Sequence, residues 1–597
     1  MTDGKLNVTS TKIELDSAAD QYNKIQMANE VVTIGNTTNV TGNVSSATIK
    51  GQGLSMGSLK TATSNATTGF NNEGTISVTG GTATSGIAGM NVSYGTINNG
   101  TSAGSSASVT IDNGAGLYGT NGSKLVNNGK ITVASGAGIA GIGTGRTKQE
   151  YGTDVKTSAS LGGTKTVEIE NHGTINATGT GSIGIYAENN TNAPKANVTV
   201  SSDKQLTVGT DGVGIAVVSA TPTPMLVNHG TSDEGGTITV TAAGTGPDIK
   251  TGVNGKGIYA QNSDITLTGN YIIETPEKGI GIFASKNTNV TGTLEYKYNG
   301  SATGTGMGII YDQLGVASHT NNANVKLTNT TNTTGGMIGV YTTAGTGNTL
   351  TNNGDITGSS TALEFGIVSD GADIINKGNI TLGNAALQEN ANVGIYAKTK
   401  NTITNDGKIT VGDNAIGIYG YNINNNTGSI KAGDNGVAIY TQGDGTVNLN
   451  ANSKITVGKD QAVGVYAVGA NQHINVNAGS SMTIGDNSFG VVNLGAGNTI
   501  ASNTSNPVTL GTDAVYIYQN DNKGTVINHT PLTSTGDRNY GLYGNGNIYN
   551  DGVIDFSNGI GNVGMYTTTG GTATNLIGGI IKVGLSDTDN KEYSIGM

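Results

Sequence analysis

The chain has 597 residues, with 97 Gly, 7 Pro, no Cys, only 12% charged residues and a net charge of −11. An average chain has about 25% charged residues and about 7% Gly, so these numbers describe a turn-rich fold with a thin apolar core. Without Cys there are no disulfides, thiolate nucleophiles or Cys-bound metals, and with Arg146 and Arg538 as the two arginines and no Lys/Arg run, nucleic acid and anionic membrane are poor partners.

Residues 1–60 carry no clear repeat and are read as an N-terminal cap or lead-in segment. Met1–Leu6 lacks the charged and apolar regions of a signal peptide. Ser17–Glu30 suits a short helix or a cap over the first coil, with Ser17 as N-cap and Asp20 three residues on. Residues 61–597 are read as continuous solenoid. Loop insertions are expected near 143–166 and 220–255, where Gly143–Thr166, Ala220–Gly236 and Ala243–Gly255 interrupt the spacing. Pro222, Pro224, Pro247 and Pro276 cluster there. No apolar run approaches the length of a membrane helix.

The repeat is clearest at Thr402–Tyr419, TITNDGKITVGDNAIGIY. Three short alternating pieces, Thr402–Thr404, Lys408–Val411 and Ala415–Tyr419, are broken at Asn405–Gly407 and Gly412–Asn414. Those residue types tolerate positive φ and predict turns. The residue after the Gly of G-I-Y recurs at Ile418, Ile439, Val465, Val491, Ile517, Leu542 and Met565, and upstream at Met90, Leu117, Ile185, Ile215, Ile258, Ile282, Ile309, Val340, Ile367 and Ile395. The middle piece recurs in phase at Ile409, Ile430, Ile455, Met482, Val508, Leu532 and Ile554. An N-x-G-x-I marker recurs at Asn72, Asn171, Asn376 and Asn405, with the shorter N-G-x-I at Asn128–Ile131 and Asn353–Ile356. A unit of about 25 residues with three short strands predicts an all-β fold, a right-handed parallel β-helix whose coils bury their apolar faces only by stacking.

Alternation assigns the faces. Ile416 and Ile418 share the inner face, as do Ile183/Ile185, Ile280/Ile282, Val393/Ile395, Val437/Ile439, Val463/Val465, Val515/Ile517 and Val563/Met565. Gly417 and Tyr419 share the outer face. The Tyr419 position also holds Tyr118, Tyr186, Tyr259, Phe283, Tyr341, Tyr396, Tyr440, Tyr466, Tyr518, Tyr543 and Tyr566. Coils rise about 4.8 Å, and aromatic rings favour centroid separations of about 4.5–7 Å, so an outer Tyr ladder is expected.

No motif carries chemistry. Gly53–Gly57 matches G-x-S-x-G, but no helix follows and no His precedes His172. Gly136–Gly141 matches G-x-G-x-x-G but runs into a loop, not a helix. The five His lack metal-ligand spacing. The Gly-Asp-Asn turns at 412, 433 and 485 offer oxygens to Ca²⁺, yet the G-G-x-G-x-D nonapeptide is missing, so turn chemistry is the simpler reading. No Ser/His/Asp or clustered-carboxylate constellation can be assembled, so no enzyme, metal site or cofactor is expected.

Ser594–Met597 aligns with Ala415–Ile418, so the sequence stops inside a strand and is expected to be the N-terminal piece of a longer protein. Units such as Asn405–Gly420 (NDGKITVGDNAIGIYG) and Asn171–Asn189 (NHGTINATGTGSIGIYAEN) resemble the repeats of passenger domains in large monomeric autotransporter adhesins, fusobacterial ones especially. The resemblance covers about residues 70–597. It implies a monomer at the bacterial surface, tied to the outer membrane only through a C-terminal β-barrel absent from this sequence. It also implies attachment to host cells or other bacteria through a protein or glycan receptor. The candidate surface is Tyr186, Tyr259, Tyr341, Tyr396, Tyr419, Tyr440 and Tyr466 on the ladder, with Arg146, Lys148, Glu150 and Tyr151 in the first insertion. An inert stalk presenting a tip elsewhere is the alternative, with a polysaccharide-processing β-helix a distant third.

Overall fold

The structure, a computed structural model, describes residues 5–8, 12–17, 25–27, 31–34, 39–44, 52–57, 69–80, 88–93, 96–120, 123–143, 167–189, 198–219, 235–244, 246–300, 304–312, 316–329, 336–343, 345–358 and 363–597. It is a parallel β-helix, and no α-helix occurs among the described residues. The chain divides into two compact units, Met1–Leu314 and Gly315–Met597, built alike.

One coil of the second unit defines the pattern. Its first strand is Thr402–Asn405, its second Lys408–Val411 and its third Ile416–Gly420. In the next coil these pair in parallel with Asn422–Asn425, Ser429–Ala432 and Val437–Thr441. Ile403, Ile409 and Ile418 point inward, one from each strand, and are fully buried. Each contributes roughly 1.5–3 kcal/mol by leaving water. The ladder predicted from Ile418 runs unbroken to Ile439, Val465, Val491, Ile517, Leu542 and Met565. In the first unit the same ladder gains Leu54 and Ile139. Both had been concealed in the G-x-S-x-G and G-x-G-x-x-G matches, which are stretches of third strand.

One face assignment needs correcting. In the third strand Gly417 turns inward beside Ile418, and the paired register passes over it. A Cβ there would lie 2.5 Å from the Ala438 carbonyl oxygen and 2.6 Å from Ile430 Cγ2. Ile416, Val437, Ile183 and Ile280 are consequently only half-buried, though Val393, Val463, Val515 and Val563 are buried. Tyr residues off the ladder also fill interior positions. Tyr271, Tyr296, Tyr298 and Tyr311 fill the first unit's interior, and Tyr516 takes the Gly417 position in the second. Tyr296 shares a 2.6 Å hydrogen bond with Thr275 and donates to the Gly279 carbonyl at 3.0 Å. Tyr516 meets Ser502 at 2.6 Å.

The two breaks also differ from each other. After the second strand, Asn414, Asn435 and Asn487 have φ of 56°, 54° and 52°, as expected of a left-handed turn. At Asn405–Gly407, after the first strand, no such φ occurs. Asn405 ends that strand with its side chain buried, donating to Asn425 Oδ1 at 2.8 Å and to the Gly407 carbonyl at 3.2 Å. Asn321, Asn352, Asn376 and Asn405 form a chain of such amide bonds at 2.7–2.9 Å, as do Asn72, Asn99, Asn127 and Asn171 at 2.8 Å. The buried members are thus Asn127 and Asn352, one residue before the expected Asn128 and Asn353. Burying an amide is tolerable because both its protons and its oxygen are bonded.

The N-terminal strands stack like the rest, and most of Ser17–Glu30 lies outside the described residues. Lys5–Val8, Lys12–Ser17 and Ile25–Met27 pair in parallel with Val31–Ile34, Asn39–Val44 and Gln52–Gly57, and these pair with Gly69–Asn72, Thr75–Gly80 and Ala88–Ser93. Among the described residues, strand pairing thus continues across residue 60, and Ile25–Met27 is strand, its Ile-Gln-Met alternation having period two. The second insertion shrinks as well. Residues 144–166 and 220–234 lie outside the described residues. Thr237–Thr241 and Ile249–Lys250 are strands of the coil, held by fully buried Ile238, Val240 and Ile249.

Candidate binding surface

The third strands carry the candidate surface. Their register stacks Tyr396, Tyr419, Tyr440 and Tyr466 in one column on consecutive coils. Ring centroids are 4.9, 4.8 and 5.4 Å apart, and the Tyr419 and Tyr440 planes are 8° from parallel. A second stack, Tyr518, Tyr543 and Tyr566, has spacings of 5.3 and 5.6 Å. Each ring inside a stack has both faces against neighbours, so it offers solvent an edge and a hydroxyl.

The remaining predicted tyrosines do not join these stacks. Ala216 stands between Tyr186 and Tyr259, and Val368 between Tyr341 and Tyr396. Tyr259 stacks on Phe283 at 5.4 Å. Tyr186 donates to Glu188 at 2.8 Å, and Gln261 donates to the Tyr259 hydroxyl at 2.7 Å. Tyr341 donates to Asp370, which holds Lys398 at 2.6 Å while the ammonium sits 5.1 Å over the Tyr341 ring. Arg146, Lys148, Glu150 and Tyr151 lie outside the described residues.

The columns beside the Tyr stack complete the surface. On one side stand Val393, Ile416, Val437, Val463 and Phe489. On the other lie Tyr421 and Gln442. Tyr419 donates to Gln442 Oε1 at 2.9 Å, and Gln442 donates to Tyr421 at 3.1 Å. Burial first, and then the neighbouring Tyr440, Tyr396 and Tyr421, push the Tyr419 hydroxyl up to about 12. Tyr440 is raised by burial, then by Tyr466. Sequence reasoning missed Phe365, which reaches the stack from three residues before Val368 and meets Tyr396 edge-on at 5.7 Å. An aromatic residue three positions ahead of a non-aromatic ladder position was the available signal.

The Gly-Asp-Asn carboxylates are committed to turns. Asp413 accepts the Asp434 amide at 2.9 Å, Asp434 the Lys459 amide at 2.8 Å and Asp486 the Thr512 amide at 2.9 Å. The Thr512 amide, then Lys459, hold Asp486 below the usual carboxylate range. Among the described residues no three His, Asp or Glu side chains converge as metal ligands. No protein-family model, curated protein or solved structure matches this chain.

Proposed function

We propose that this chain is the passenger of an autotransporter-type adhesin, displayed at a bacterial cell surface, which attaches to host cells or other bacteria by binding a protein or glycan receptor. The observation that carries the reading is the outer column Tyr396, Tyr419, Tyr440 and Tyr466. It is a half-buried row of aromatic edges and hydroxyls fixed at coil spacing by a stiff parallel stack. Tyr is suited to such surfaces because it is apolar along its body and polar at its tip. The specific observation favouring an inert stalk is that the ring faces are already spent on one another. Beads coated with the chain, offered to epithelial cells and to partner bacteria with competing sugars, separate the two. Saturable, competable adhesion supports the adhesin, and a folded chain that leaves beads unattached supports the stalk.

A further inference from the structure

The second strands of the second unit gather three lysines that lie far apart in sequence. Lys408, Lys431 and Lys454 are each 23 residues from the next and stand on three consecutive coils. All three are exposed on the outer face. Lys408 and Lys454 share a column two coils apart, about 9.6 Å along the stack. Lys431 stands on the coil between them, offset by two residues, about 6.6 Å along its strand. None of the three forms an ion pair among the described residues. Lys398, Lys400 and Lys459, in the same stretch of chain, each hold an aspartate, at 2.6, 2.9 and 3.1 Å. Other second strands answer a lysine with an acid on the next coil, Lys250 with Glu274 at 3.3 Å and Lys582 with Asp555 at 3.0 Å. By contrast, the seven successive second strands from Ile380–Leu382 to Leu532–Ser534 contain no carboxylate. The flanking turns do hold acids, but these are engaged. Asp413 accepts from the Asp434 amide and from Asn384, both at 2.9 Å, and Asp434 from the Lys459 amide at 2.8 Å. Asp406, ahead of Lys408, is offset by Lys377 at the matching place on the preceding coil.

We infer that this lysine face binds a sulfated glycan. Charge complementarity selects an anion. The chain as a whole carries −11, but at physiological salt fields are screened over about 8 Å, so a triangle of cations this size acts on its own. Each ammonium is a compact charge with three donors on a flexible stem, which suits a sulfate group. The places between the lysines carry the half-buried hydroxyls of Thr410, Ser429, Thr456 and Ser481, which suit the sugar rings between sulfates. Nucleic acid fits less well. The same strands hold no aromatic ring and no Arg on which a base could stack. Three charges are also few against a duplex that carries one per about 1.7 Å. A glycan, whose anionic groups are held apart by sugar rings, matches a sparse triangle better.

The inference rests on the adhesin reading, for which it names a ligand class. The test offers the whole chain heparin, fully desulfated heparin, hyaluronan and duplex DNA, with binding read by calorimetry and surface plasmon resonance. Expected is binding of heparin that weakens by roughly tenfold between 50 and 200 mM salt. Desulfated heparin and hyaluronan should bind at least tenfold more weakly. A variant combining Lys408→Gln, Lys431→Gln and Lys454→Gln should melt with the parent, since all three side chains are exposed, and lose tenfold or more in heparin affinity. Lys459→Gln, which removes a paired lysine, should lose less than twofold. Lys408→Arg, Lys431→Arg and Lys454→Arg together should keep the binding. No heparin binding, equal binding by parent and triple Gln variant, or desulfated heparin or DNA bound as tightly as heparin overturns the inference. Bead adhesion measured in parallel keeps the two ideas apart. Adhesion that soluble heparin and the triple Gln variant leave unchanged sinks the lysine face alone, whereas heparin binding without adhesion sinks the adhesin reading alone.

Discussion

Asn376 illustrates how one residue holds a coil. Its amide donates to Asn405 and to the Gly378 carbonyl, and its oxygen accepts from Asn352. Asn376→Ala leaves buried partners unbonded on both sides and should destabilise the unit by about 1–3 kcal/mol, read as a shift in denaturant midpoint. Gly407 is constrained by crowding. A Cβ there would sit 2.1 Å from the Gly378 carbonyl oxygen, and one on Gly378 2.1 Å from that of Gly354. Gly407→Ala should therefore cost about 1–3 kcal/mol although its φ is ordinary. Tyr516 gives a pH prediction. Burial pushes its hydroxyl up to about 12, partly offset by Ser502 and Thr530. The unfolded phenol ionises near 10. The protonated form is favoured in the fold, so its stabilisation is intact below pH about 10 and disappears as pH rises toward 12. Alkaline unfolding followed by circular dichroism and by phenolate absorbance should track together in that window, and Tyr516→Phe should shift it upward.

At the scale of the strand, the third-strand and second-strand ladders were legible because aliphatic residues recur there with constant neighbours. Register between coils follows directly from Ile409 and Ile418. Three things were hidden. Inward Gly417 reads as an outer residue by strict alternation, because a bulged position has no marker beyond the glycine itself. Asn405 reads as a turn residue, because a buried, fully bonded amide has the same identity as a solvated one. Ile139 was hidden because its stretch, Gly136–Gly141, was read as a glycine-rich motif match, although Ile215 was found with the same Ala after it. The candidate surface was half legible. The Tyr column showed in the sequence, but which rings touch depends on Val368, Phe365 and Val492. Ile409→Ala, which empties a fully buried rung, should cost about 2–5 kcal/mol.

Within each unit, coils contact their neighbours and little else, so stability is close to a sum of coil and interface terms. Removing one whole coil of the second unit should therefore be tolerated. Excising residues 420–440 joins Tyr419 to Thr441, which pairs with Gly420 in the intact chain. That deletion should unfold cooperatively with modestly lower stability. Excising residues 420–430 instead cuts mid-coil, throws every later rung out of register and should abolish the folded β signal of this unit. The adhesin reading belongs at this scale too, since a stack of coils presents its outer columns as continuous rows rather than as a pocket. The stacking itself is open to direct chemical test, because the chain has no Cys. Thr410 pairs with Lys431 on adjacent coils, both side chains outward, and neighbouring strands lie about 4.8 Å apart, within disulfide reach. A chain carrying Thr410→Cys and Lys431→Cys should form an intramolecular disulfide on mild oxidation, while Thr410→Cys with Ala432→Cys, whose second residue points inward, should not. Failure of the first pair, or equal closure of both, would show that these coils do not stack in this register.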